Sequence, residues 1–259
     1  MESPIKAQTK QQQNAGLVDE LPHSESDLVG ELRISQLLAD IPGFVMYKER
    51  YIVQGKTSRQ LLETHQSFQK RIKRKDPGRL QFYPSPSRYL DDTKFLVVEL
   101  GDAGVALEDF DLTSSDQLFD IFIHCAIALA RAEARVEFEH RDLHEGNLCI
   151  RRVGEPVPLE GRDHSSCFGY SGLDITILDY GLSRASIYHD GDPEHAEAVA
   201  YDMERDLTLF RSEHAPQCQV YRRMRSFMLR DDRECLPPSA HRTPYEEGID
   251  GPIDWRLHE

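Results

Sequence analysis

The sequence is short of several things at once, and each shortage removes a class of function. Five of its 259 residues are cysteine, an odd number spread over Cys125, Cys149, Cys167, Cys218 and Cys235. No C-x-x-C pair occurs, which excludes a zinc knuckle or a dithiol redox motif. Reduced thiols in a cytosolic or nuclear protein are the expectation. No stretch approaches the roughly 18 apolar residues of a membrane span, and the opening MESPIKAQTKQQQ lacks the apolar centre of a signal peptide. An intracellular, soluble protein with no membrane partner is expected. Positive charge is in deficit, with 31 Lys and Arg against 45 Asp and Glu for a formal net charge of −14. Phosphate backbones are bound by clustered cations, so direct nucleic-acid binding is not expected, and a basic protein partner suits the charge better. No internal repeat is present, and the length suits one domain of two lobes or two small domains.

What is present falls into alternating apolar and polar blocks. After a polar, Gln-rich stretch to Gly16, SESDLVGELRISQLLAD reads as a helix. Ser24 can cap it, Asp27 lies three positions on, and Leu28, Leu32, Ile34 or Ser35, and Leu38 keep helical spacing up to the Ile41-Pro42-Gly43 stop. Residues 44–53 read as a strand and 57–71 as a helix. RIKRKDPGRLQFYPSPSRYLDD follows as an exposed loop with a solvated basic cluster. KFLVVEL, at 94–100, reads as a strand, broken by Gly101-Asp102-Ala103-Gly104 into a hinge-like connection. Residues 115–136 place Leu118, Ile121, Phe122, Cys125, Ala126 and Leu129 at helical spacing, which predicts a helix buried over much of its circumference. A last helix is expected over 217–230.

Two polar clusters carry the chemistry. One is His140-Arg141-Asp142-Leu143-His144-Glu145-Gly146-Asn147, and the other, about thirty residues later beside an apolar strand, is Leu178-Asp179-Tyr180-Gly181. Phosphoryl transfer from a nucleotide needs a carboxylate to orient and deprotonate the attacking hydroxyl, and oxygen ligands that hold magnesium against the phosphates. Asp142 is the candidate base. Asn147, five positions on, and Asp179 are the candidate metal ligands, sufficient without a histidine or cysteine cluster because Mg2+ prefers oxygen and keeps several waters.

The segments FEHRDLHEGN and ITILDYGLSR, with AEARVEFEHRD, YDMERDLTLF and QVYRRM, resemble the protein kinase superfamily and, within it, the atypical haspin-like serine/threonine kinases, from about Lys6 to about Met224. The resemblance implies an α+β, kinase-like two-lobed fold, with a partial N-lobe over 1–100, a hinge over 101–104 and a mainly helical C-lobe over 105–259. It implies ATP and Mg2+ as cofactors, with His140 and Arg141 flanking Asp142 in the catalytic loop. Lys6 and Glu31 become the ion pair that grips the phosphates, Leu100 the gatekeeper, and Gly101 and Ala103 the backbone that meets adenine. It also implies a basic protein substrate, a threonine near the start of a histone tail, met in the nucleus during mitosis, with chromatin engaged through that substrate alone. Asp109, Asp111, Asp202, Glu204 and Asp206 are candidates for an acidic docking surface.

Departures from the family pattern are equally specific. No G-x-G-x-x-G occurs, the chain starts at the strand that would carry the lysine, no Ala-Pro-Glu follows the activation segment, and the terminal helices of the larger lobe are not recognisable. Gln219 stands where kinases place an aspartate that braces the catalytic loop. These point to a truncated gene product, a fragment or a degenerate paralogue, and they keep two other functions in view. One is a pseudokinase acting as a binding module. The other is a small-molecule phosphotransferase, since H-x-D-L-H-x-G-N also resembles the catalytic loop of aminoglycoside and choline kinases. His144 is expected to brace the loop, Tyr180 to pack as core, and Trp255, the lone tryptophan, to be core or a frayed end.

Overall fold

A computed structural model describes Lys10 and residues 25–77, 84–163, 165–189, 192–205, 207–213, 215–230, 234–241 and 253–258. The fold is α+β. The chain divides into two compact units, one built on Lys48–Glu99 and the other on Ser24–Tyr47 with Leu100–Glu259.

The smaller unit pairs strand β1 (Tyr47–Gln54) with strand β2 (Lys94–Leu100), and between them in sequence lies helix α2 (Arg59–Lys75). The Ser58 side chain accepts from the Leu61 amide and starts that helix, as an N-cap should. The expected loop over RIKRK is corrected here, because Arg71–Lys75 completes α2. Lys and Arg are good helix formers, and Lys73, Arg74 and Lys75 sit in the last turn, where cations oppose the helix dipole. Pro77 lies just past the end. No described residue of α2 is buried, so its basic face is solvated.

The larger unit is organised by one hydrophobic core. Helix α1 (Glu25–Leu38) contributes Ile34 and Leu38, and helix α3 (Ser115–Val136) contributes Ile121, Ala128, Ala132 and Val136. Both share this core with strands β4 (Leu148–Arg152) and β5 (Leu173–Ile177), which with β3 (Val105–Ala106) form an antiparallel sheet of order β3-β4-β5 in which Leu148 faces Ile177 and Ile150 faces Ile175. The wide burial expected of α3 is corrected. Leu118 and Phe122 are 58% and 68% exposed, because one stripe meets the sheet and the opposite face meets solvent. Gly43, at φ +100°, lets the turn after α1 touch α3, since a Cβ there would stand 2.4 Å from that of Ala128.

Strands β6 (Arg184–His189) and β7 (Asp192–Ala200) form a hairpin, and α1 is tied to it by both Arg33 nitrogens on the Glu197 carboxylate at 2.6 and 2.5 Å. A second cluster of Met203, Phe210, Tyr221 and Trp255 joins short helix α4 (Thr208–Arg211) to helix α5 (Pro216–Arg230). Trp255 is therefore core, at 2% exposure. All five cysteines are free thiols. Among the described residues no helix is long and apolar enough to cross a membrane.

Candidate active site

The start of strand β4 lies beside the end of strand β5, Leu148 paired with Ile177, so that one polar cluster leads into β4 and the other leaves β5. Leu178 donates its amide to the Asn147 carbonyl at 3.1 Å, joining the end of one cluster to the start of the other. Two of their residues sit in the left-handed region, Arg141 at φ 63° and Asp179 at φ 68°. Non-glycine residues hold such angles when their surroundings over-determine them, and functional sites are where this recurs.

His140 is a hub. Its Nε2 donates to the Leu178 carbonyl at 3.1 Å, which can only accept, so Nδ1 is the ring acceptor and takes the Asp142 amide at 3.3 Å. Burial pushes its pKa below the ordinary histidine value, keeping the ring neutral in this tautomer. Its carbonyl accepts from the Ser183 hydroxyl at 3.0 Å, so the catalytic-loop segment is sewn to the start of β6. A backbone bridge between Glu139 and Arg184, 2.9 Å in each direction, makes a second seam.

Asp142 projects toward α5. Its Oδ1 accepts from the Gln217 amide at 3.0 Å and from the Tyr221 hydroxyl at 2.5 Å. Gln219, expected as the bracing position, is exposed on the same helix, so the brace comes from Gln217 and Tyr221 instead. Sequence reasoning missed this pair. The available signal was their i, i+4 spacing on one face of the helix. Burial together with the acceptor Asp142 pushes the Tyr221 phenol well above its ordinary value, so it stays a donor.

Asn147 is buried and spends its Nδ2 on the Asp142 carbonyl at 3.0 Å, which leaves its amide oxygen as the donor atom for a cation. Asp179 receives the Gly181 amide on Oδ1 at 3.3 Å. No group of three or more His, Cys, Asp or Glu residues placed to hold a metal occurs among the described residues. An amide oxygen and a carboxylate beside a phosphate-bearing ligand suit a hard, oxygen-seeking, partly hydrated cation such as Mg2+. His144 accepts the Gly146 amide on Nδ1 at 3.0 Å and so braces the loop. Tyr180 is buried, donates to the Ile177 carbonyl at 3.0 Å and packs edge-on against Phe138, as core.

The other expected residues divide. Glu31 lines a cavity of roughly 200 Å³ with Gly30, Ile34, Tyr180, Gly181 and Asp202, beside the Asp179 segment. Lys6 lies outside the described residues. Leu100 is 41% exposed, and the Gly101 amide is already spent on the Met46 carbonyl at 2.7 Å. Adenine recognition by this segment would therefore fall to the Gly101 carbonyl and to Ala103. Gly104 follows at φ +95°, where a Cβ would meet the Ile150 carbonyl oxygen at 2.3 Å, so the backbone lies hard against β4. Of the acidic docking candidates, Asp109 and Asp111 are exposed and Asp206 lies outside the described residues. Glu204 is corrected, because its carboxylate is 8% exposed and paired with the fully buried Arg225 at 3.1 Å.

The family model described as the Haspin like kinase domain matches residues 9–239. The serine/threonine-protein kinase haspin homolog of Drosophila melanogaster is 32% identical over 142 residues, 54% of this chain and 24% of that protein. The serine/threonine-protein kinase haspin homolog hrk1 of Schizosaccharomyces pombe is 27% identical over 217 residues, 77% of this chain and 41% of that protein. The serine/threonine-protein kinase haspin of Bos taurus is 34% identical over 145 residues, 54% of this chain and 17% of that protein. The chain thus spans less than half the length of these relatives.

Proposed function

The chain belongs to the haspin-like kinase family, and on that premise we propose that it transfers the γ-phosphoryl group of ATP to a serine or threonine hydroxyl of a basic protein, with a histone-tail threonine as the substrate. The observation that carries the reading is the convergence of Asp142, Asn147 and Asp179 at the adjoining ends of β4 and β5, joined through the bond from Leu178 to Asn147.

Asp142 orients the attacking hydroxyl and takes its proton on Oδ2, the oxygen that Gln217 and Tyr221 leave open. His140, held neutral, carries the Asp142 backbone and fixes where that carboxylate starts. The Asn147 amide oxygen and the Asp179 carboxylate would hold magnesium, while Gly101 and Ala103 would offer the backbone for adenine and Leu100 would flank it. When bound, ATP with magnesium supplies the transferable phosphoryl group and offsets its charge. Glu31 lines the cavity with Tyr180 and Gly181, and the family reading gives it to a lysine that grips the phosphates. The net charge of −14 and the exposed Asp109 and Asp111 favour a basic peptide over an acidic one. Nuclear action on chromatin through that substrate follows from the same reading.

The test is calorimetric titration of the purified chain with ATP in the presence and absence of magnesium, followed by transfer of labelled phosphate to a basic histone-tail peptide. Magnesium-dependent binding with transfer is expected, and Asp142→Asn or Asp179→Asn should abolish transfer while circular dichroism stays unchanged. Transfer retained in either variant overturns the assignment. A folded chain that binds no nucleotide would favour a binding module instead.

A further inference from the structure

The segment Ile253–His258 lies beyond the stretch that matches the family, yet it is built into the catalytic loop. Three consecutive carbonyl oxygens take bonds from two arginines. Arg141 donates from one terminal nitrogen to Trp255 at 2.6 Å and from the other to Leu257 at 3.0 Å, and Arg184 donates from Nε to Arg256 at 2.9 Å. Both guanidiniums are nearly inaccessible, their side chains 2% and 6% exposed. The Arg141 guanidinium also lies over the Trp255 ring, 5.6 Å from its centroid, and pairs with Glu139 at 2.9 Å.

We propose that Trp255, with the backbone on either side of it, is a positioning residue for catalysis, holding Arg141 in its left-handed conformation and through it the Asp142 carboxylate. This rests on the reading of Asp142 as the base. A buried guanidinium has five N–H donors to satisfy, and Glu139 covers part of them. The carbonyls of residues 255 and 257 cover others, so removing the segment takes two acceptors from a buried cation at the residue whose φ is 63°. The neighbouring residue is held from the same place. Trp255 and Tyr221 belong to one hydrophobic cluster, Trp255 is stacked on Phe210 at 6.2 Å, and Tyr221 donates to Asp142. The second core thus grips two successive catalytic-loop residues, one through a ring and carbonyls and one through a phenol.

The Trp255 Nε1 is buried and makes no hydrogen bond. The ring therefore acts through its apolar body and its face, which phenylalanine also provides. That predicts rescue by a conservative variant, which a role for the indole N–H would not allow.

The experiment compares Trp255→Ala and Trp255→Phe in the full chain. Hydrogen exchange followed by mass spectrometry should accelerate by about tenfold or more in peptides covering 137–147 and 183–186 of Trp255→Ala, with the β4–β5 sheet and α3 as in the wild type. Trp255→Phe should stay close to wild type. In phosphoryl transfer to a basic peptide, Trp255→Ala should lose kcat by about tenfold with KM for ATP held within about twofold, and Trp255→Phe should keep most of it. Unchanged exchange over 137–147, uniform acceleration across the whole chain, or a Trp255→Phe variant as impaired as Trp255→Ala would each overturn the proposal. If the wild type transfers no phosphate, the kinase reading fails and the exchange arm still decides whether Trp255 orders the loop. If Trp255→Ala fails to fold, Trp255→Leu fills the volume without a ring and is held to the same exchange pattern.

Discussion

Tyr221 donates its hydroxyl to the same Asp142 oxygen, Oδ1, that receives the Gln217 amide, at 2.5 and 3.0 Å. Two donors on one oxygen fix the carboxylate plane and leave Oδ2 for a substrate hydroxyl. A side chain on α5 thereby sets the aim of the proposed base, carried by a loop about eighty residues earlier in sequence.

Tyr221→Phe keeps the ring in its cluster and removes the donor. Hydrogen bonds to charged groups contribute about 1.5–3 kcal/mol, so loss of this one from a base should lower kcat by roughly tenfold. KM for ATP should stay near wild type, because the Tyr221 hydroxyl bonds the Asp142 carboxylate and not Asn147 or Asp179, the proposed magnesium ligands. Steady-state kinetics with a basic peptide check this, and an unchanged kcat would mean that Gln217 alone orients Asp142.

The pairing of Arg33 with Glu197 ties α1 to the hairpin, and it titrates. The Arg33 guanidinium, with His189 at 3.4 Å, draws the Glu197 pKa from 4.5 down to about 2. A depressed carboxylate stabilises the fold fully above its unfolded pKa, and that stabilisation is lost as pH falls from about 4.5 through about 2. Both partners are substantially exposed, so the contribution is small and screened by salt. Melting curves of wild type and Glu197→Gln should differ most above pH 4.5, converge toward pH 2, and differ less in high salt. A constant offset across that range would mean that the carboxylate is not what joins the two elements.

Much of this site could be read from the sequence, because its chemistry is concentrated in short stretches. Asp142, Asn147, Asp179 and their flanking strands announce themselves by residue type and spacing, and 115–136 shows its helical period. Other features were not legible, among them three that bear on named residues. Helix α2 ran on through Arg71–Lys75 because helix propensity, not the presence of a nearby Pro-containing loop, decides a solvated basic stretch. The brace on Asp142 comes from Gln217 and Tyr221, which carry no catalytic motif and reach the site only through the packing of α5. The burial of Glu204 depends on Arg225, twenty-one residues away, and an acidic residue in a run of acids gives no hint of a buried partner.

Gly43→Ala tests the close approach that seats the α1 turn on α3. The new Cβ would lie 2.4 Å from the Ala128 Cβ, and the residue would have to hold φ +100°. Overpacking of a dense core costs about 1–3 kcal/mol, and the left-handed angle adds to it. A loss of about 3 kcal/mol by urea titration is expected. Adding Ala128→Gly relieves the clash and leaves the backbone strain, so the double variant should regain part of the loss and no more. Complete recovery would show that φ at residue 43 relaxes freely.

Arg225 and Glu204 form a buried ion pair in the larger unit. The Arg225 side chain is fully buried, Nε and one terminal nitrogen meet the Glu204 carboxylate at 3.1 and 3.3 Å, and the other donates to His241 Nδ1 at 3.1 Å. Its guanidinium also lies over Phe210, 5.4 Å from the ring centroid. Removing one partner of such a pair strands a buried charge and costs about 3–5 kcal/mol, whereas replacing both by apolar groups of similar volume is often near neutral. Glu204→Leu should therefore lower the unfolding free energy by about 3 kcal/mol or more, and Glu204→Leu with Arg225→Met should recover most of it. The pair also ties the Met203–Arg205 turn after β7 to α5, the helix that aims Asp142. If that tie matters to the site, the stable double variant should still show a lowered kcat; a double variant as active as wild type would confine the pair to stability.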